Sequence, residues 1–155
     1  MALVLWRIVK EKHVATAFDG EGAKRYGGRW NPHGLAAVYL GGSLSLAALE
    51  TFVHLTAQDA HLRFVSIRIA VPDDVSVATL NLKRLPDNWR GEPPPPACQA
   101  LGGEWLREVQ AALLRVPSVI VPHEENYVLN PLHPDARKIA LGKPHAFGFD
   151  QRMWK

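Results

Sequence analysis

The chain has 155 residues, 47% hydrophobic and 21% charged, a composition that supports a globular core and excludes a disordered chain. Its single cysteine, Cys98, excludes an intrachain disulfide and a cysteine-cluster zinc site. A formal net charge of +3 favours anionic ligands mildly and is too small to identify a nucleic-acid binder.

Taken in chain order, the opening run "ALVLW" is too short for a secretory signal, and no segment reaches the ~20 apolar residues of a transmembrane helix. A cytoplasmic protein with no membrane segment, folded as a single domain over residues 1–155, is therefore expected. "LVLWRIV" (Leu3–Val9) is apolar and β-branched and predicts a first strand.

Next comes "KRYGGRWNPHG" (Lys24–Gly34), which holds three cations, two aromatic rings and three glycines in eleven positions. Arg29 can present a bidentate fork to a phosphate, and the Gly27–Gly28 backbone lets an anion approach closely. Arg25 reads equally as a solvated cation, and Trp30 as a core indole. "AAVYL" (Ala36–Leu40) predicts a short strand, and Ser43 an N-cap for a helix running to about Leu55.

Ser43, Glu50 and His54 follow one line along that helix, between apolar stripes. Glu50 thus reads either as a pocket-edge carboxylate or as a solvated surface residue. His54 alone reads as a structural histidine.

"RFVSIRIAV" (Arg63–Val71) alternates and predicts the clearest strand, and "VSVATLN" (Val75–Asn81) another. The four prolines in "NWRGEPPPPACQ" (Asn88–Gln99) predict a stiff loop. "GEWLREVQAALLR" (Gly103–Arg115) predicts an amphipathic helix, with Trp105, Val109, Ala112 and Leu113 on one face. In "VPSVIVPHEENYVLNPLHPDARKI" (Val116–Ile139), Ser118 interrupts an apolar strand, where its hydroxyl needs a partner. That partner is either a neighbouring carbonyl or another group in a polar pocket. A helical turn is expected from Pro134, and "FGFDQRMW" predicts a final strand. The irregular succession of strands and helices points to α+β rather than a doubly wound sheet. His123, Glu124 and Glu125 have no second ligand cluster, so no metal is expected.

Four segments together resemble the RES domain: "WRI" (Trp6–Ile8), "FDGEGAKRYGGRWN" (Phe18–Asn31), "AVYLGGSLSLAALETFVHL" (Ala37–Leu55) and "VPSVIVPHEENYVLNPLHPD" (Val116–Asp135). The resemblance covers nearly the whole chain and is thinnest from Leu80 to Gly103. It implies an ADP-ribosyltransferase-like α+β fold, with twisted antiparallel or mixed sheets and flanking helices. It implies the toxin of a type II toxin–antitoxin system that depletes NAD+ by breaking the nicotinamide–ribose bond, through hydrolysis or phosphorolysis.

The arginine, glutamate and serine of the family name fall on Arg29, Glu50 and Ser118, and the active-site tyrosine on Tyr39. These four are the expected catalytic residues. Arg25, Tyr26, Gly27, Gly28, Arg29, Tyr39 and Asn126 are the expected dinucleotide-binding set. NAD+ is expected as substrate, with no prosthetic group. The expected partner is an Xre-like helix-turn-helix antitoxin, through which DNA is contacted, and a homo-oligomer is left open.

Two other readings are transfer of ADP-ribose to a macromolecule and a nucleic-acid-binding module. The dispersed basic residues weigh against the second.

Overall fold

The computed structural model describes residues 3–155. Eight strands form one mixed sheet: β1 (Leu3–Lys10), β2 (Val38–Gly41), β3 (Phe64–Val71), β4 (Val77–Thr79), β5 (Leu113–Pro117), β6 (Glu125–Leu129), β7 (Ala140–Leu141) and β8 (His145–Phe147). Their order is β4-β5-β6-β2-β1-β3-β7, with β8 beside β7 on the outer edge of β3. Among the described residues, only β4 and β5 pair in parallel. Among the described residues, three α-helices accompany the sheet: α1 (Glu21–Tyr26), α2 (Leu44–Phe52) and α3 (Pro96–Glu108).

Strand alternation divides the apolar side chains into three clusters. Leu5, Leu40, Ile67, Ile69, Leu113 and Leu129 come from both halves of the sheet yet share one cluster, so the sheet curls around them. On its opposite face, Trp105, Leu106 and Cys98 of α3 cover Leu114, Val116 and Val128. On that same face, Ala47 and Leu44 of α2 pack with Ile8 and Phe64. The fold is α+β, with a curled mixed sheet and flanking helices.

Local chemistry accounts for most boundaries. Ser43 caps α2 by accepting the Leu46 N–H at 3.1 Å, but the helix ends at Phe52, three residues before the expected limit. The larger departure is α3. The helix expected over Gly103–Arg115 instead runs from Pro96 to Glu108, where Val109 takes a left-handed conformation (φ 52°).

The last proline of the run occupies the first helical position, where its missing N–H has no intrahelical role. Residues 111–114 are buried on both faces and belong to β5 or its approach. Such a run has no periodicity that separates a strand from a buried helix. The strand expected around Ser118 ends at Pro117, and Ser118 begins a turn.

The final strand expected in "FGFDQRMW" is also absent beyond Phe147. Phe149 and Trp154 pack tilted against Phe52 of α2 instead, at centroid distances of 5.2 and 4.8 Å. Among the described residues, no helix is long and apolar enough to cross a membrane.

Candidate active site

Register aligns Trp6, Gly41, Asn126 and Val116 across β1, β2, β6 and β5, so these four share the sheet face that carries both helices. The row lies at the seam between the α2 and α3 clusters. Gly41 is what brings α2 so near: a Cβ there would come within 2.9 Å of the Ala47 backbone nitrogen.

One helical turn beyond Ala47, Glu50 reaches the seam. Its Oε1 accepts from the Ser118 hydroxyl at 2.7 Å and from Asn126 Nδ2 at 2.9 Å. Ser118 is fully buried, and its Oγ accepts the N–H groups of Ile120 (3.1 Å) and Val121 (3.0 Å). These two bonds fix the hydroxyl so that its one proton points at the carboxylate. Glu50 Oε2 accepts from no described residue. Asn126 Oδ1 is buried without a partner among the described residues, so an acceptor beside the carboxylate is unsatisfied.

The glycine-rich loop lies along the same face. Asn31 is completely buried and ties the loop together: Nδ2 donates to the carbonyls of Ala23 (2.8 Å), Leu35 (3.1 Å) and Pro32 (3.2 Å). Its Oδ1 accepts from the Tyr39 hydroxyl, which in turn accepts the Trp30 N–H at 3.2 Å. Tyr39 is therefore engaged within the protein. Burial pushes its phenol well above the usual range, against the opposing pull of the Trp30 N–H and of Arg29.

Gly28 is required by this packing, because a Cβ would lie 2.7 Å from Asn31 Oδ1. α3 presses on the loop from outside: Gln99 Nε2 donates to the Gly28 carbonyl at 3.0 Å, and a Cβ at Gly102 would overlap the Trp30 carbonyl at 1.7 Å.

The expected site residues divide accordingly. Glu50, Ser118 and Asn126 meet directly. Tyr39 shares their sheet face, diagonal to Asn126 on neighbouring strands, a relation of ~7–8 Å. Gly27 and Gly28 form the turn leading to Arg29, while Arg25 and Tyr26 are exposed, Tyr26 at 73%.

Arg29 is only 11% exposed, and its guanidinium is held by the loop before α3. Nη1 donates to the carbonyls of Trp89 (2.7 Å) and Gly91 (2.8 Å), and Nη2 to Glu92 Oε2 at 2.8 Å. The proline-rich segment, which reads as a stiff loop, thus lies against Arg29 of the candidate site. His54 lies past the end of α2 and is exposed.

Sequence reasoning missed the internal role of Asn31. The Asn-Pro pair signals a turn, but nothing in it signals an asparagine buried with four bonds. Arg90 was missed as well: its Nε donates to the Val119 carbonyl at 3.0 Å, next to Ser118.

The RES domain family model matches residues 4–150. Over 97% of its length the chain is 39% identical to Toxin Res of Yersinia enterocolitica, covering 99% of that protein. Over 99% it is 41% identical to the Prs ADP-ribosylating toxin of Sphingobium sp., covering 98% of it. Among solved structures, it superposes on a chain of the M. tuberculosis MbcT–MbcA toxin–antitoxin complex with a TM-score of 0.75 and 21% identity. That match covers 96% of this chain and 85% of the other. This chain belongs to the RES domain family.

Proposed function

We propose that this chain is the toxin of a toxin–antitoxin pair and that it cleaves the bond between nicotinamide and ribose in NAD+. The observation that carries the reading is Glu50: two donors fix one carboxylate oxygen and, among the described residues, the other has no partner. The family and the names of the relatives support the toxin role.

In the cleavage, the C1′–N bond breaks and both its electrons leave with nicotinamide, which departs neutral and needs no proton. Positive charge develops on the ribose, as in other glycosidic cleavages. Glu50 Oε2 faces that charge. At an effective dielectric of 20 and about 4 Å, opposite unit charges attract by ~4 kcal/mol. If that much is realised only in the transition state, the rate rises roughly a thousandfold.

Asn126 Oδ1 accepts from a ribose hydroxyl or the carboxamide, and Tyr39 forms an aromatic wall. Arg29 binds the pyrophosphate, and Gly27 and Gly28 allow its approach. Exposed Arg25 and Tyr26 contribute at the rim. Water or inorganic phosphate then bonds to C1′ and loses its proton to solvent.

The test is nicotinamide release from NAD+ by the purified chain, with and without phosphate, alongside Glu50→Gln. The expected result is free ADP-ribose or its 1-phosphorylated form, with kcat reduced about a thousandfold in the variant. Full turnover by Glu50→Gln would overturn the mechanism.

The ADP-ribosylating relative favours a second reading, transfer of ADP-ribose to a macromolecule. Label from NAD+ appearing on protein or nucleic acid selects it. The likeness to a chain of a toxin–antitoxin complex supports a protein antitoxin as partner, which we take to be of the Xre-like helix-turn-helix kind.

A further inference from the structure

We propose that Glu92 is an internal competitor for the anion subsite at Arg29, so that the substrate's phosphate must displace it. This rests on the reading of Arg29 as a pyrophosphate ligand. All three acceptors on the guanidinium come from one strap, residues 89–92, and they differ in kind. The carbonyls of Trp89 and Gly91 both take Nη1 and orient the group from the protein side. Glu92 takes Nη2, and Nε donates to no described residue.

The Nε–Nη2 edge is one of the two with which an arginine meets a phosphate in bidentate fashion, and the other is taken up at Nη1 by the two carbonyls. It is shared here with a carboxylate that stands where a phosphate oxygen would. The two partners are unequally committed. Arg29 is 11% exposed and fixed, whereas Glu92 is 69% exposed and can turn to water. Ion pairs with an exposed partner are weak, so a dianionic pyrophosphate wins the edge, but against opposition.

The strap stays in place when Glu92 swings away. Arg90 Nε anchors it to the Val119 carbonyl, and Trp89 packs near Trp30 with centroids 6.4 Å apart. Loss of the carboxylate contact therefore opens the edge without opening the loop. Tighter binding follows, which a merely structural contact would not give.

The experiment measures ADP binding by titration calorimetry to the full chain and to Glu92→Gln and Glu92→Ala. ADP carries the pyrophosphate and has no nicotinamide bond to cleave. Both variants are expected to bind about threefold to tenfold more tightly. They are also expected to melt within a degree or two of the parent, as surface changes do. Unchanged or weaker ADP binding overturns the proposal, as does ADP failing to bind all three proteins.

Nicotinamide release from NAD+ is followed on the same preparations, so the two readings fail separately. Release with no gain in ADP affinity removes the competitor alone. A gain in affinity with no release from the parent chain removes the cleavage reaction alone.

Discussion

A serine hydroxyl has one proton to donate and two lone pairs, and Ser118 uses all three. Its substitution by alanine takes a donor from Glu50 and leaves two half-buried N–H groups without that acceptor. Ser118→Ala should lower unfolding stability by about 1–3 kcal/mol, read from urea midpoints. On the proposed reading it should also lower kcat for NAD+ cleavage more than it raises KM, because the loss falls on the orientation of Glu50. Unchanged urea midpoints would show that the turn is held without the hydroxyl.

The need for a partner at Ser118 is legible in sequence, since a hydroxyl in an apolar run is anomalous. The identity of that partner is not, since Glu50 lies 68 residues away. Tyr39 shows the converse. Its type suggests a ligand contact, whereas its hydroxyl bonds Asn31 and the Trp30 N–H, and only packing reveals the difference.

Among the elements, α3 illustrates why composition misplaces boundaries. Pro96 reads as the end of a breaker segment and serves as a helix start, while "AALL" reads as helix and lies at the head of a two-faced strand. The helix nevertheless has a definite task, to hold the glycine-rich loop at close range. At Gly102 the neighbour is a backbone carbonyl, which cannot rotate out of the way. Gly102→Ala should therefore lower the melting temperature, by the equivalent of about 1–3 kcal/mol, despite its better helix propensity. A melting temperature equal to or above the parent's would show that α3 can shift without loss. β1, β2 and β3, by contrast, are legible within a residue or two, because their alternation faces a core on one side and a helix or solvent on the other.

At the scale of the whole molecule, strand order could not be read, since it depends on pairing between residues far apart in the chain. Part of the closure rests on Asp135, which follows β6 and reaches the approach to β4. Its carboxylate accepts the Ser76 N–H and hydroxyl, each at 3.1 Å, and pairs with Lys138 at 3.2 Å. The Ser76 N–H bond, followed by Lys138 and the Ser76 hydroxyl, holds this carboxyl below the usual aspartate range against a smaller opposing effect of burial.

A carboxyl whose pKa is depressed on folding contributes stability above its unfolded pKa and loses it as pH falls through the folded value. Asp135→Asn should thus be less stable than the parent at about pH 7, and the gap should close below about pH 4. Urea midpoints across that range measure it. A gap that persists undiminished at low pH would assign the effect to shape rather than charge.

The position of β6 between β2 and β5 also has a consequence in time. Before β6 docks, the chain holds two unjoined pieces: β1, β2 and β3 with α2, and β4 and β5 with α3. Glu50 belongs to one piece and Ser118 to the other, and Asn126 arrives on the strand that joins them. On the ribosome, the carboxylate is therefore made 68 and 76 residues ahead of its two anchors. The Glu50, Ser118 and Asn126 cluster is complete only when nearly the whole chain has emerged, and on the proposed reading a protein arrested before Glu125 is inactive. On the proposed reading, an antitoxin therefore has an interval in which to meet the chain before cleavage can begin.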